Sequence, residues 1–334
     1  MARIDKLQNQ YWCAAQINQF ALVDLPNTGG VPSGIKDIVH PSFAYIPGGF
    51  GGHNFWLAAS PYPQSLQGGG EPYENPCIFY ADVVDGVFPV SGFTAIAGNP
   101  IDGTPTGGYN SDPELVYYNG YLYCFWRTRA SSQTGYRTAI YVSKSSDGVT
   151  WSAKQMVYGS DDLGDDLCPM YLFANNKHRL YLVEAGGYNE TYHIKIIESA
   201  TIDGTYQYAG YASVEGLANI WHGGLFEYNG DVYLIAGGTS NGINKALELF
   251  LAKKDPDSEN FVFYEYPICA TSYRPFAKVV DGKLIIYNST KGATSYSGFV
   301  HVSEEYPSGN CVCQAVLDME EVLKLMDDLS IVSI

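Results

Sequence analysis

The chain has 334 residues, 46% of them hydrophobic, and a formal net charge of −16. That charge repels nucleic acid and anionic membranes, and no basic run, glycine-rich phosphate loop or bilayer-length apolar segment offsets it. The length allows a sizeable core and exceeds a typical single domain unless the unit is a closed repeat array.

In chain order, residues 1–37 read as an N-terminal arm. At His40-Pro41-Ser42-Phe43-Ala44 a residue followed by proline opens a short apolar strand. Further strands are expected at Phe55 to Ala58, Cys77 to Ala81 and near Val87 to Val90. The pattern returns at Asp112-Pro113-Glu114-Leu115-Val116, followed by Tyr121 to Trp126, Ala139 to Ser143 and Lys154 to Tyr158. It returns again at Cys168-Pro169-Met170-Tyr171-Leu172, with Leu180 to Val183, Ile194 to Glu198 and Tyr206 to Tyr211. A fourth copy starts at His222-Gly223-Gly224-Leu225-Phe226, with Val232 to Ala236, Leu247 to Ala252 and Phe261 to Tyr266. The fifth starts at Arg274-Pro275-Phe276-Ala277-Lys278, with Leu284 to Tyr287, Phe299 to Val302 and Val312 to Val316. Asn119-Gly120, Asn229-Gly230 and Asp281-Gly282 mark tight hairpins after three of the first strands. From Asp318 to Met326 the spacing is helical, with acidic residues in the first turn.

Between the five start positions the steps are roughly 72, 56, 54 and 52 residues, the range of a four-stranded unit repeated around an axis. The prediction is an all-β fold: a five-bladed β-propeller with four-stranded antiparallel blades, plus a short N-terminal arm and a C-terminal helix. The propeller would occupy 38–317, with blades at about 38–100, 108–160, 165–214, 220–268 and 272–317, and a helical tail at 318–334. Each blade is expected to own its four strands, with none borrowed from the other terminus. The seven cysteines have irregular spacings and read as reduced, buried thiols of a chain folded in the cytosol. Cys311 and Cys313 are expected on opposite faces of one strand, unable to share a metal.

Strand direction gathers the starts of first strands, the ends of second strands and the starts of third strands on one face. That ring holds His40, Tyr62, Glu74, Asp112, Arg127, Arg137, Cys168, Glu184, His193, Trp221, His222, Tyr273, Arg274 and Asn288. Aromatic faces stack on sugars while carboxylates and arginines bond hydroxyls or acids, so the mixture is carbohydrate-like. Asp112, Glu74 and Glu184 are the candidate catalytic groups. His40, Tyr62, Arg127, Trp221, His222, Tyr273 and Arg274 are the candidate ligand-binding ones. Cys168 reads as a buried neutral thiol. No metal-type cysteine and histidine spacing is seen, and the sequence requires no cofactor.

Ser145-Ser146-Asp147-Gly148-Val149-Thr150-Trp151, echoed by Asp85-Gly86 and Asp203-Gly204, resembles the Asp-box of sialidases. The resemblance implies a structural Asp147 on the opposite face. Asp112-Pro113 opening an inner strand resembles the five-bladed arabinanase, xylosidase and fructosidase clan, which implies catalytic carboxylates at successive inner-strand starts and allows an axial Ca2+. Here those positions read His40, Asp112 and Cys168, so the clan's usual mechanism does not carry over by position. Three strings are similar to the glycosidase-like propeller domain of bacteriophage tail and virion proteins: Asp37-Ile38-Val39-His40-Pro41-Ser42, Tyr73-Glu74-Asn75-Pro76-Cys77-Ile78 and Gly108-Tyr109-Asn110-Ser111-Asp112-Pro113. With Phe55 to Ala58 and Ser60 to Pro63 they cover roughly 37–130. This resemblance implies a virion protein, made in the host cytoplasm without a signal peptide, that binds bacterial surface polysaccharide. Hydrolysis of that glycan by paired carboxylates and a purely decorative virion role are the alternatives. The expected partners are the glycan and other virion proteins, met through the arm or the tail, with no nucleic acid and no membrane. Homo-oligomerisation is compatible with all three readings.

Overall fold

The computed structural model describes residues 20–161, 165–185, 193–217, 219–239, 248–264, 267–269, 272–290 and 305–331. It is a five-bladed propeller with antiparallel four-stranded blades. β1 (Ala21–Leu22) comes first among the described residues. Blade one is β2 (Ile38–Phe50), β3 (His53–Pro61), β4 (Cys77–Ala81) and β5 (Thr94–Ala95). Blade two is β6 (Tyr109–Tyr118), β7 (Tyr121–Arg129), β8 (Thr138–Ser145) and β9 (Gln155–Ser160), and blade three is β10 (Asp165–Ala174), β11 (Lys177–Ala185), β12 (His193–Ser199) and β13 (Gln207–Ala212). β14 (Val214–Glu215) is a fifth strand, added parallel to the edge of blade four, which otherwise comprises β15 (Asn219–Tyr228), β16 (Asp231–Thr239), β17 (Glu248–Lys254) and β18 (Phe261–Phe263). Blade five is β19 (Arg274–Val280), β20 (Lys283–Thr290) and β21 (Cys311–Asp318), with β1 on its outside.

Every first hairpin closes through two residues at positive φ: Gly51-Gly52, Asn119-Gly120, Asn175-Asn176, Asn229-Gly230 and Asp281-Gly282. Both central positions of a type I′ turn need that conformation, which glycine and asparagine reach at least expense. The five resulting ribbons are glued by five apolar clusters, each shared by consecutive blades. Phe43, Phe55, Phe276 and Tyr287 join blades five and one. Trp56, Leu115 and Trp126 join one and two, and Phe125, Ile140, Leu182 and Tyr206 join two and three. Met170, Tyr181, Leu234 and Phe250 join three and four, and Phe226, Ile235, Ile286 and Ala315 join four and five.

Three expectations need correction. Blade five does borrow a strand: β21 pairs directly with β20, and Ala21 and Leu22 of the arm pair with Gln314 and Cys313 outside it. So Val312 to Val316 lies in the blade's third strand, and the Phe299 to Val302 strand falls outside the described residues. The physical reason is closure, since an antiparallel edge bonded by the other terminus ties the ring shut. In blade one the fourth strand is Thr94–Ala95; Val84 and Val87 bridge only each other around Asp85-Gly86. Finally, Cys311 and Cys313 are two residues apart in one strand and therefore share a face, with their sulfurs 3.9 Å apart. The six described cysteines, all but Cys13, are free and buried.

The C-terminal helix, Met319–Ile331, turns Met319, Val322 and Met326 into the cluster between blades four and five. Asp318 accepts the amides of Glu320 and Glu321 as its N-terminal cap. At the far end of blade two, Asp147 Oδ1 accepts the amides of Val149 at 2.8 Å and Thr150 at 2.7 Å. Gly148 there has φ +81°, and any Cβ on it would meet the Trp56 ring at 2.1 Å.

Candidate functional site

Four of the five innermost strands carry a β-bulge near their start: between Val39 and Ser42, Ser111 and Glu114, Leu167 and Met170, and Ile220 and His222. In the first three the bulged residue precedes proline, which has no amide to lose from the ladder. Those residues, His40, Asp112 and Cys168, stand at φ 58°, 57° and 51°. Bulges re-aim side chains, and here they turn His40 and Asp112 to the axis. β19 pairs without a bulge, so Arg274 keeps the regular register.

The centre of the site is Asp112, with no exposed surface. Its Oδ1 lies 3.0 Å from His222 Nε2 and 3.6 Å from His40 Nε2. Its Oδ2 lies 3.1 Å from Arg127 Nε and accepts the Cys168 amide at 3.3 Å. Burial opposes ionisation of Asp112, but His222, His40 and Arg127 outweigh it and hold the carboxyl well below the usual range. Burial lowers both His40 and His222, against the pull of Asp112. Of the three neighbours only Arg127 is charged at every accessible pH, so it is the cation we assign to Asp112.

Glu74 is brought in by the short 3-10 turn Glu71–Tyr73. Asn75 fixes that loop by accepting from Asn110 Nδ2 at 3.0 Å, and Thr128 donates to Asn110 at 2.7 Å. Glu74 Oε1 stands 3.2 Å from His40 Nδ1 and accepts the Ser111 hydroxyl at 2.5 Å. Aromatic rings complete the ring of groups. Tyr273 stacks on His40 with centroids 5.2 Å apart and meets His222 edge-on at 4.9 Å. Trp221 lies edge-on to His222, and the Arg127 guanidinium sits over Tyr109. Burial, with Glu74 and Glu71 adding, pushes the Tyr62 hydroxyl up to about 12.

Beneath this layer Glu114 ties three blades to blade two. It accepts from Ser42 of blade one at 3.3 Å and the Tyr171 amide of blade three at 3.4 Å, and pairs with Arg274 of blade five at 3.4 Å. Burial lifts its carboxyl to about 7 despite Arg274. Arg274, fully buried, therefore belongs to this internal tie.

Of the residues singled out by sequence, His40, Glu74, Asp112, Arg127, His222 and Tyr273 meet at the axis, with Trp221 beside them. Glu184 does not join them; it stands in a separate network, 3.7 Å from Lys195 Nζ, which bonds Asp166 at 2.7 Å. Arg137 pairs with Asp165, and His193 lies against Tyr211. Cys168 donates its thiol to the Gly223 carbonyl, and burial pushes it up to about 12. Ser111, Tyr109 and Glu114 were not anticipated. Glu114 had a signal, two residues beyond Asp112, while Ser111 had only its place in the string before it.

No family model matches the sequence, and no curated protein matches it. Among solved structures the chain is similar to an N-acetylgalactosamine deacetylase from F. plautii in complex with blood group B trisaccharide: TM-score 0.71, 15% identity, 93% of this chain and 96% of that one. It is similar to a sucrose-6-phosphate hydrolase from Lactobacillus gasseri at TM-score 0.59 and 16% identity, covering 92% of this chain and 62% of that one. An α-L-arabinanase from Penicillium chrysogenum complexed with arabinobiose follows at 0.54 and 13%, covering 85% and 77%. At such identities the likeness shows the fold, and that fold is shared with carbohydrate-active propeller enzymes.

Proposed function

We propose that the axial face recognises a carbohydrate, and that the protein is a phage virion component binding bacterial surface glycan. The observation that carries the recognition reading is the held Asp112. A carboxylate fixed by Arg127 and the Cys168 amide is built to keep its position, whereas a glycosidase needs two carboxyls free to act across the bond. Tyr62, Tyr109 and Trp221, each half-buried near it, supply the stacking surfaces that sugars use. A plug made only for packing would be apolar, since burying charges is costly. The virion role rests on the three strings around His40, Glu74 and Asp112.

A second reading is favoured by Glu74, whose carboxyl meets the Ser111 hydroxyl and the His40 imidazole. In that arrangement Glu74 can take a proton from water attacking the carbonyl carbon of an N-acetyl substituent. The C–N bond then breaks, the amine leaves with a proton, and acetate is released. The deacetylase among the structural neighbours shares this architecture along nearly its whole length.

The test is a glycan array with host polysaccharide, followed by product analysis on every hit. Asp112→Asn is expected to weaken binding about tenfold or more, because Arg127 loses its buried counter-charge. Glu74→Gln is expected to keep the ligand, and if the site is hydrolytic to lower turnover by about 10²–10⁴. If both substitutions leave binding and product formation unchanged, the site is elsewhere and the decorative reading takes its place.

A further inference from the structure

We propose that His40, Asp112 and His222 bind one transition-metal ion of the zinc or manganese type on the propeller axis. One ligand atom from each lies within 4.8 Å of the other two. Asp112 Oδ1 is 3.6 Å from His40 Nε2 and 3.0 Å from His222 Nε2. Ligand atoms around a tetrahedral ion with bonds of about 2.0–2.2 Å stand roughly 3.3–3.6 Å apart, so the cluster is close to the size of a coordination shell.

The groups behind the imidazoles fix which nitrogen faces inward. His40 Nδ1 is 3.2 Å from Glu74 Oε1, and His222 Nδ1 is 3.3 Å from the Tyr273 carbonyl oxygen. Both partners are acceptors, which assigns the ring proton to Nδ1 and leaves an unprotonated Nε2 turned to Asp112. Three lone pairs then converge in a buried space. Among the described residues, His40 Nε2 and Asp112 Oδ1 are buried with no aligned hydrogen-bond partner. Such acceptors are unfavourable together unless a cation lies between them. A carboxylate or backbone carbonyl behind each imidazole is also the usual outer support of a metal-bound histidine. Arg127 and the Cys168 amide occupy Oδ2, which leaves Oδ1 for the ion.

The axial Ca2+ allowed by the fold resemblance does not fit these donors. Calcium takes six to eight oxygens, and two of the three groups here are nitrogens. Two imidazoles with one carboxylate suit zinc, manganese or iron instead. The ion would deepen the glycan reading, and the proposal rests on that reading only for the substrate the ion would meet.

The full chain, stripped with a chelator, is titrated separately with Zn2+, Mn2+ and Ca2+ by calorimetry, and bound metal is counted by elemental mass spectrometry. One equivalent of Zn2+ or Mn2+ per chain is expected, bound at least about tenfold tighter than Ca2+. His40→Ala and His222→Ala should each weaken it by about 100-fold or more, and Glu74→Ala by about 10–100-fold. His53→Ala, beside Asp82 at the other end of blade one, should bind as the parent does. The first readout is made on the unaltered chain, so a variant that fails to fold does not remove the test. No stoichiometric metal on that chain, preference for Ca2+, or full binding by a folded His40→Ala/His222→Ala variant overturns the proposal. Metal is counted without glycan present. A chain that binds metal but no glycan defeats the glycan reading alone, and the reverse defeats this one alone.

Discussion

Three residues held at positive φ, each directly before a proline, occupy the same position in three consecutive blades. A side chain in that region costs about 1–2 kcal/mol, and a following proline disfavours it further. For His40 and Asp112 the strain aims the side chain at the axis, while for Cys168 it presents an amide to Asp112. The opposite end of blade two shows an aspartate with a different task. Asp147 is exposed, and the amides of Thr150 and Val149 lower its carboxyl from 3.8 to about 2. A depressed carboxyl contributes stability above its unfolded pKa and loses it as pH falls through the folded one. Asp147→Ala should therefore cost about 0.5–2 kcal/mol at neutral pH, the usual value of such a cap, with its exposure favouring the lower half. The gap should hold from pH 7 to about 4 and close as the pH approaches about 2. Urea denaturation across that range checks it, and a gap that widens in acid would contradict the assignment. The two aspartates were legible because proline and glycine chemistry mark their surroundings. Ser111 was not, because strict alternation gives Ser111 and Asp112 opposite faces, and the bulge between Ser111 and Glu114 resets that phase.

At the scale of elements, the inner hairpins were readable from the chain, as were the outer strands of blades two, three and four, while those of blades one and five were not. Asn-Gly and Asp-Gly announce a type I′ turn, whereas Asn175-Asn176 builds the same turn without a glycine and gave no signal. Outermost strands have one neighbour and here shrink to two residues, as in β1 and β5, too short for any alternation to register. The apolar run near Val87 therefore drew the fourth strand of blade one away from Thr94. The C-terminal helix was legible by its spacing, and the fold answers what it does: it packs. Met326 is 2% exposed in the cluster between blades four and five. Met326→Ala should destabilise the protein by about 2–5 kcal/mol. Chemical denaturation measures this, and a loss below about 0.5 kcal/mol would mean that the helix merely rests on the surface.

For the whole molecule the question is what keeps five ribbons in a closed ring. Four of the five interfaces join blades that the chain itself connects. The fifth, between blades five and one, joins blades from the two ends of the chain, so its apolar cluster and the β1 pairing must hold it. Val23 and Leu25, each 2% exposed, continue from β1 into that cluster. The Val23 amide donates to Val312 of blade five, and the Asp24 amide to Val90 of blade one. Leu25→Ala and Leu180→Ala remove the same side chain from two interfaces, the first at the closure and the second between blades two and three. Both should cost about 2–5 kcal/mol globally. Their local consequences should differ. With the closure weakened, blades five and one can separate without the rest unfolding, whereas blades two and three remain tethered by the chain and by closed neighbours on both sides. Native-state hydrogen exchange should then show Leu25→Ala lowering protection in β2, β3, β20 and β21 well before the other blades, and Leu180→Ala lowering it more evenly. Equal, uniform loss in both variants would mean that the ring opens only when everything does, and that β1 is an edge strand with no special hold on the fold.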